Sequence, residues 1–173
     1  MMKKRSIFFV FHVIPIVAAA LAWIGDLLLG YVQPGAMGMY GMVQTGWSEV
    51  VYARPMYSMA IAAVAFPLFL PGLYAASRQM ATVSLRIARV FLGLAVAACT
   101  GGLFIHAFFC IPQIIHRFLA LEGLSDLALR LTDRVYAVLT PTIAITMILY
   151  ITALGWLLFA VITGKTPYPR SCA

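Results

Sequence analysis

Residues 7–29 read IFFVFHVIPIVAAALAWIGDLLL, 23 residues that are apolar except for His12, Gly25 and Asp26. A hydrocarbon core about 30 Å thick takes about 20 helical residues to cross. This segment is long enough, and it limits the chain to folds that satisfy backbone polar groups within a helix. It also carries Asp26 about one turn from its far end. A carboxylate at such a position is costly and calls for a partner, a water-filled cavity or a proton.

The rest of the chain has the same character. Of 173 residues, 64% are hydrophobic and 10% are charged, whereas a soluble domain carries about 25% charge. The expected fold is all-α, an integral membrane bundle of four transmembrane helices forming a single polytopic domain, residues 1–173. The spans are expected at about 7–29, 55–76, 90–111 and 135–162. The net charge of +7 does not point to nucleic acid. The cations are scattered beside apolar spans, and no basic stripe with interleaved aromatics occurs. Lys3, Lys4 and Arg5 before an apolar run, with Ala18, Ala20 and Ala22 behind, also match a signal peptide. The run continues to Leu29, so a retained first helix is the better reading. Cys99, Cys110 and Cys172 form no CxxC pair, and the ending Ser171-Cys172-Ala173 is not a prenylation signal.

Between the first two spans, residues 30–54 hold glycines and Pro34, which discourage a helix. They also hold Tyr40, Trp47 and Tyr52, which suit the interfacial aromatic belt. Pro67 and Pro71 should bend or break the second span, and Pro112 should end or kink the third. Residues 113–134 read as a semi-apolar surface segment that includes a short interfacial helix between the third and fourth spans. Ser125 could cap it, and Asp126 and Arg130 are spaced i,i+4. Orientation follows from the Lys and Arg count. One side receives Lys3, Lys4, Arg5, Arg78, Arg86, Arg89, Lys165 and Arg170. The other receives only Arg54, Arg117, Arg130 and Arg134. This places both termini in the cytoplasm, with the chain in a cell inner membrane.

In that topology the unusual polar residues share the outer side. Asp26, His106, Glu49 and Arg54 are the candidate catalytic residues, because a carboxylate and an imidazole tuned by their surroundings can move protons on a substrate. Cys99, Gly102, His106, Cys110, Gln113 and Arg117 recur at steps of three and four, which makes one helix face. Cys110, Gln113 and His116, with Tyr57 and its neighbour Ser58, and Tyr136 and Thr140 from the fourth span, complete a candidate ligand-binding set. The opposing structural reading has Asp26 bonded to Arg54 or a backbone amide, tying helix ends together. His106 and Cys110 have a spacing that can present two metal ligands, but no HExxH or CxxC accompanies them and hard and soft donors are mixed. No metal or cofactor is assigned. No GxSxG occurs, and the serines have no base at recognisable spacing.

The run Gly25-Asp26-Leu27-Leu28-Leu29-Gly30 ending the first span, with Gly101-Gly102-Leu103-Phe104-Ile105-His106 later, resembles patches in small multi-pass bacterial membrane families without assigned activity. The resemblance implies a bacterial inner-membrane protein and carries over no site residues. Three functions fit. The first is an acid/base pocket near the outer membrane face for a lipid-like or small hydrophobic molecule. The second is a non-catalytic accessory subunit of a homo-oligomer or a larger membrane partner. The third is a small proton-linked transporter.

Overall fold

A computed structural model describes residues 13–30 and 45–167. These residues form four α-helices and one short 3-10 turn: α1 Ile14–Gly30, the 3-10 turn Thr45–Glu49, α2 Ala53–Ala81, α3 Leu85–Leu121 and α4 Ser125–Ile162. The helices α2, α3 and α4 are long and apolar enough to cross a membrane, and α1 is a shorter apolar helix of 17 residues. The chain is an all-α membrane protein. The beginning of the expected first span, residues 7–12 with His12, lies outside the described residues, as do Tyr40 and Cys172.

The helices run further than hydropathy suggests. The expected interfacial helix is not a separate element, since residues 113–121 continue α3 and residues 125–134 open α4. At 1.5 Å per residue the 37 residues of α3 and 38 of α4 each reach about 55 Å, well past the hydrocarbon thickness. A helix does not stop where its side chains become polar, because its backbone hydrogen bonds are indifferent to them. The prolines do not stop it either. The helix is continuous through Pro67 and Pro71 in α2 and Pro112 in α3. Asp126 and Arg130 form no ion pair among the described residues.

Glycine sets the stop positions. Gly123 has φ +77° and Gly164 φ +68°, a conformation that costs glycine little. After α3, Leu124 N donates to Leu119 O at 2.9 Å and Gly123 N to Ala120 O at 3.1 Å. After α4, Lys165 N donates to Ala160 O at 2.7 Å and Gly164 N to Val161 O at 3.0 Å. Both are the paired C-terminal bonds that satisfy a helix's last carbonyls. At the start of α3 the Ser84 hydroxyl accepts from Ile87 N at 3.5 Å, an N-cap.

The chain divides into two compact units. One contains residues 13–20, 64–102 and 144–167 of the described chain, and the other residues 21–30, 45–63 and 103–143. The first has an apolar core of Met80, Ala88, Phe91, Ala95 and Ala160. Trp156 Nε1 donates to Ile87 O at 3.2 Å and Ser77 Oγ to Ala88 O at 3.0 Å. Here α3 and α4 approach through glycine. A Cβ on Gly101 would lie 2.7 Å from the Thr146 side chain, and one on Gly102 would collide with Tyr150 Oη and the Phe66 ring. The second unit carries the polar residues.

Candidate functional site

The second unit gathers the end of α1, the 3-10 turn, the first turns of α2, the second half of α3 and the first half of α4. Within it, α1 packs closely enough for three side chains to reach the carbonyls of its last turns. Ser58 Oγ donates to Gly25 O at 2.7 Å, Arg54 Nη2 to Leu28 O at 2.9 Å, and Gln113 Nε2 to Leu29 O at 3.1 Å. The last four carbonyls of a helix lack partners within it. Arg54 and Gln113 supply donors to two of them.

Next to Gly25 stands Asp26, whose Oδ1 lies 3.4 Å from His106 Nδ1. The two side chains differ sharply in exposure. Asp26 is 69% exposed and His106 only 7%. The other imidazole nitrogen, His106 Nε2, is 2.7 Å from Ser58 Oγ. Gly25 lies against the ring, and a Cβ there would sit in ordinary van der Waals contact, 3.5 Å from His106 Cε1 and Nε2. A chain of contacts thus runs from an exposed carboxylate through a buried imidazole to a fully buried hydroxyl, with one member each from α1, α3 and α2.

The expected stripe on α3 faces inward. Gly102, His106, Cys110 and Gln113 are buried, with Cys99 and Arg117 partly so. Pro112 leaves the helical spacing intact, which keeps these residues on one face. Gln113 Oε1 and Arg117 Nε are buried without a hydrogen-bond partner among the described residues. Arg117 Nη1 donates to Ser48 O at 2.8 Å, and its guanidinium lies 5.2 Å from the centre of the Tyr52 ring, within cation–π range.

A second buried histidine has a related setting. His116 Nδ1 is 3.4 Å from Thr132 Oγ1, and that hydroxyl donates to Ala128 O at 2.7 Å. Trp47 meets His116 edge-on with ring centres 6.0 Å apart, and it lies 5.8 Å from Tyr136. Tyr136 is fully buried and its hydroxyl donates to Phe109 O at 3.3 Å. Trp47 does not lie on an aromatic belt. It is 4% exposed, a wedge against α3 and α4. His116 is likewise buried.

The candidate residues therefore separate. Asp26 and His106 come together, with Ser58 as the third member, and Cys110 is buried on the same face of α3. In the sequence Ser58 stands out only as the neighbour of Tyr57. Its signal is slight, because a lone serine in an apolar helix most often bonds to its own backbone. The structural alternative, in which Asp26 ties helix ends together through Arg54, takes another form. Arg54 holds α1 through Leu28 O, and Asp26 meets His106. Glu49 is exposed and forms no ion pair among the described residues. Tyr57 is 65% exposed, and Thr140 donates back to Tyr136 O at 2.8 Å within α4. With both Asp26 and Tyr57 exposed, the expected set does not close around a common interior. Among the described residues no group of three His, Cys, Asp or Glu side chains could hold a metal ion.

One protein-family model matches the chain over residues 2–173, that of a family of unknown function, DUF6796. No curated protein and no solved structure matches it.

Proposed function

Since the chain belongs to the DUF6796 family of unknown function, its activity has to be read from its own residues, and we propose an acid/base site near the outer membrane face that acts on a lipid-like or small hydrophobic molecule. The observation that carries this reading is the contact between an exposed carboxylate, Asp26, and a buried imidazole, His106. A carboxylate on an apolar helix is retained at a cost. The imidazole behind it gives the carboxylate a proton partner shielded from solvent. A proton can then pass between this pair and a molecule arriving at Asp26 from outside the bundle. Trp23, about one turn before Asp26, and Leu27, next to it, are 65% and 48% exposed. They offer apolar contact to such a molecule.

In this reading the chain is multi-pass, α1 spanning the membrane in addition to α2, α3 and α4, in a bacterial inner-membrane protein with cytoplasmic termini. The eight-to-four distribution of Lys and Arg supports that orientation. The test uses wild-type protein, Asp26→Asn and His106→Gln, each purified into nanodiscs and incubated with a total bacterial lipid extract. Mass spectrometry of the lipids reads the result. A species that wild type consumes or retains, and that both variants leave untouched at unchanged thermal stability, supports the site. Identical lipid profiles from all three folded proteins sink it.

One observation favours the accessory alternative. Arg54, Gln113 and Ser58 all spend hydrogen bonds on α1 carbonyls, which is a bundle-tying role. An accessory subunit would tolerate Asp26→Ala and co-purify with a larger membrane partner.

A further inference from the structure

Ser58 has one hydroxyl proton and two contacts of 2.7 Å, to Gly25 O and to His106 Nε2. A carbonyl oxygen can only accept. Two oxygens 2.7 Å apart with no hydrogen between them repel, so the Ser58 proton points to Gly25. The Ser58 oxygen must then accept from the imidazole, and Nε2 must carry hydrogen. That leaves Nδ1 facing Asp26 Oδ1 at 3.4 Å. Nδ1 is then the ring position at which a proton is gained or lost, and it faces a carboxylate that is 69% exposed.

We propose that Ser58 is the positioning residue of this site: by accepting from His106 Nε2 it confines the exchangeable proton to the Asp26 side of the imidazole, next to the exposed carboxylate. This rests on the acid/base reading above and adds to it the direction of proton exchange. It also separates the constellation from a nucleophilic serine triad, whose connectivity it shares. In such a triad the serine gives its proton to the imidazole. Here the serine proton is committed to a helix carbonyl, and Ser58 is fully buried. His116 provides an internal contrast. Its Nδ1 is 3.4 Å from Thr132 Oγ1, whose proton goes to Ala128 O, and it has no carboxylate contact among the described residues.

The experiment is nitrogen-15 NMR of protein labelled at its histidine imidazoles, in nanodiscs at neutral pH. Signals are assigned with His106→Gln and His116→Gln. In wild type, His106 Nε2 is expected to show a directly bonded hydrogen. Ser58→Thr keeps the hydroxyl and is expected to keep that signal. Ser58→Ala is expected to lose it or to move it to a mixture of tautomers. A wild-type Nε2 without hydrogen overturns the proposal, and so does an Nε2 signal unchanged in Ser58→Ala. Should Ser58→Ala not fold, the wild-type spectrum still decides. A second measurement treats the wild-type protein with a fluorophosphonate probe. No adduct at Ser58 is expected, and labelling there would show that its proton goes to His106. Failure of the lipid experiment with Asp26→Asn would remove the acid/base reading while leaving this proton placement intact. A bare Nε2 would do the reverse.

Discussion

The two compact units are built from the same long helices but held by different means. In the unit containing residues 64–102, close approach depends on missing side chains. Gly101 and Gly102 receive Thr146, Tyr150 and Phe66, and alanines 88, 95 and 160 pack with Met80 and Phe91. In the unit containing residues 103–143, donors reach into backbone carbonyls: Ser58 to Gly25, Arg54 to Leu28, Gln113 to Leu29, Arg117 to Ser48 and Tyr136 to Phe109. Helices in lipid gain little from hydrophobicity alone, since the tails are as apolar as the helix faces. They associate by close packing of small residues or by hydrogen bonds between helices. In the first unit close packing is joined by two such bonds, from Ser77 and Trp156; the second has more of them. The polar unit gains more than cohesion. The buried hydroxyls of Ser58, Thr132 and Tyr136 each donate to a backbone carbonyl there, a directed bond that a purely apolar interface cannot provide.

Substitutions can test how deep this difference goes. The largest effect is expected at Trp47, a bulky wedge in the hydrogen-bonded unit. Trp47→Ala removes its contacts with His116 and Tyr136 and should destabilise by about 3–5 kcal/mol, read by thermal unfolding in detergent. A loss below about 1 kcal/mol would mean that hydrogen bonds alone hold that unit. Gly102→Ala comes next. Its new methyl meets Tyr150 and Phe66, an overpacking cost of about 1–3 kcal/mol. Hydrogen exchange should show the loss in residues 64–102 and 144–162 first. A smaller cost is expected for Arg54→Leu, which removes a donor from Leu28 O. It should cost about 1 kcal/mol and speed exchange at the end of α1. The smallest effect belongs to Gly155→Ala, where a Cβ meets nothing within 4 Å. Stability should stay within about 0.5 kcal/mol. An equal loss at Gly155 and Gly102 would refute the claim that glycine matters by permitting approach.

The sequence is legible where a local rule governs. The apolar runs announce helices and a membrane. The three-and-four spacing of His106, Cys110, Gln113 and Arg117 puts them on one face, and that face is buried to partly buried. Polarity is a poor guide to where these helices end, and so the expected boundaries at 112 and 134 do not exist. The actual stop near 122 is set by Gly123 in a left-handed conformation and by the two hydrogen bonds closing over it. That signal is present in the sequence but weak, in a chain with 13 glycines.

The sequence by itself determined that this chain forms helices apolar and long enough to cross lipid, and that one apolar helix carries a carboxylate at Asp26. Apolar character and length are properties of residue type and order, which need no tertiary contact. Only the tertiary structure decided that this carboxylate meets His106, that Ser58 stands on the far side of the imidazole, and that Arg54 and Gln113 serve carbonyls. A helix fixes which residues share its own face. Which face meets which neighbour is set by packing between helices: glycines that let Thr146 and Tyr150 approach, a hydroxyl with one proton to place, and a tryptophan that fits between two helices.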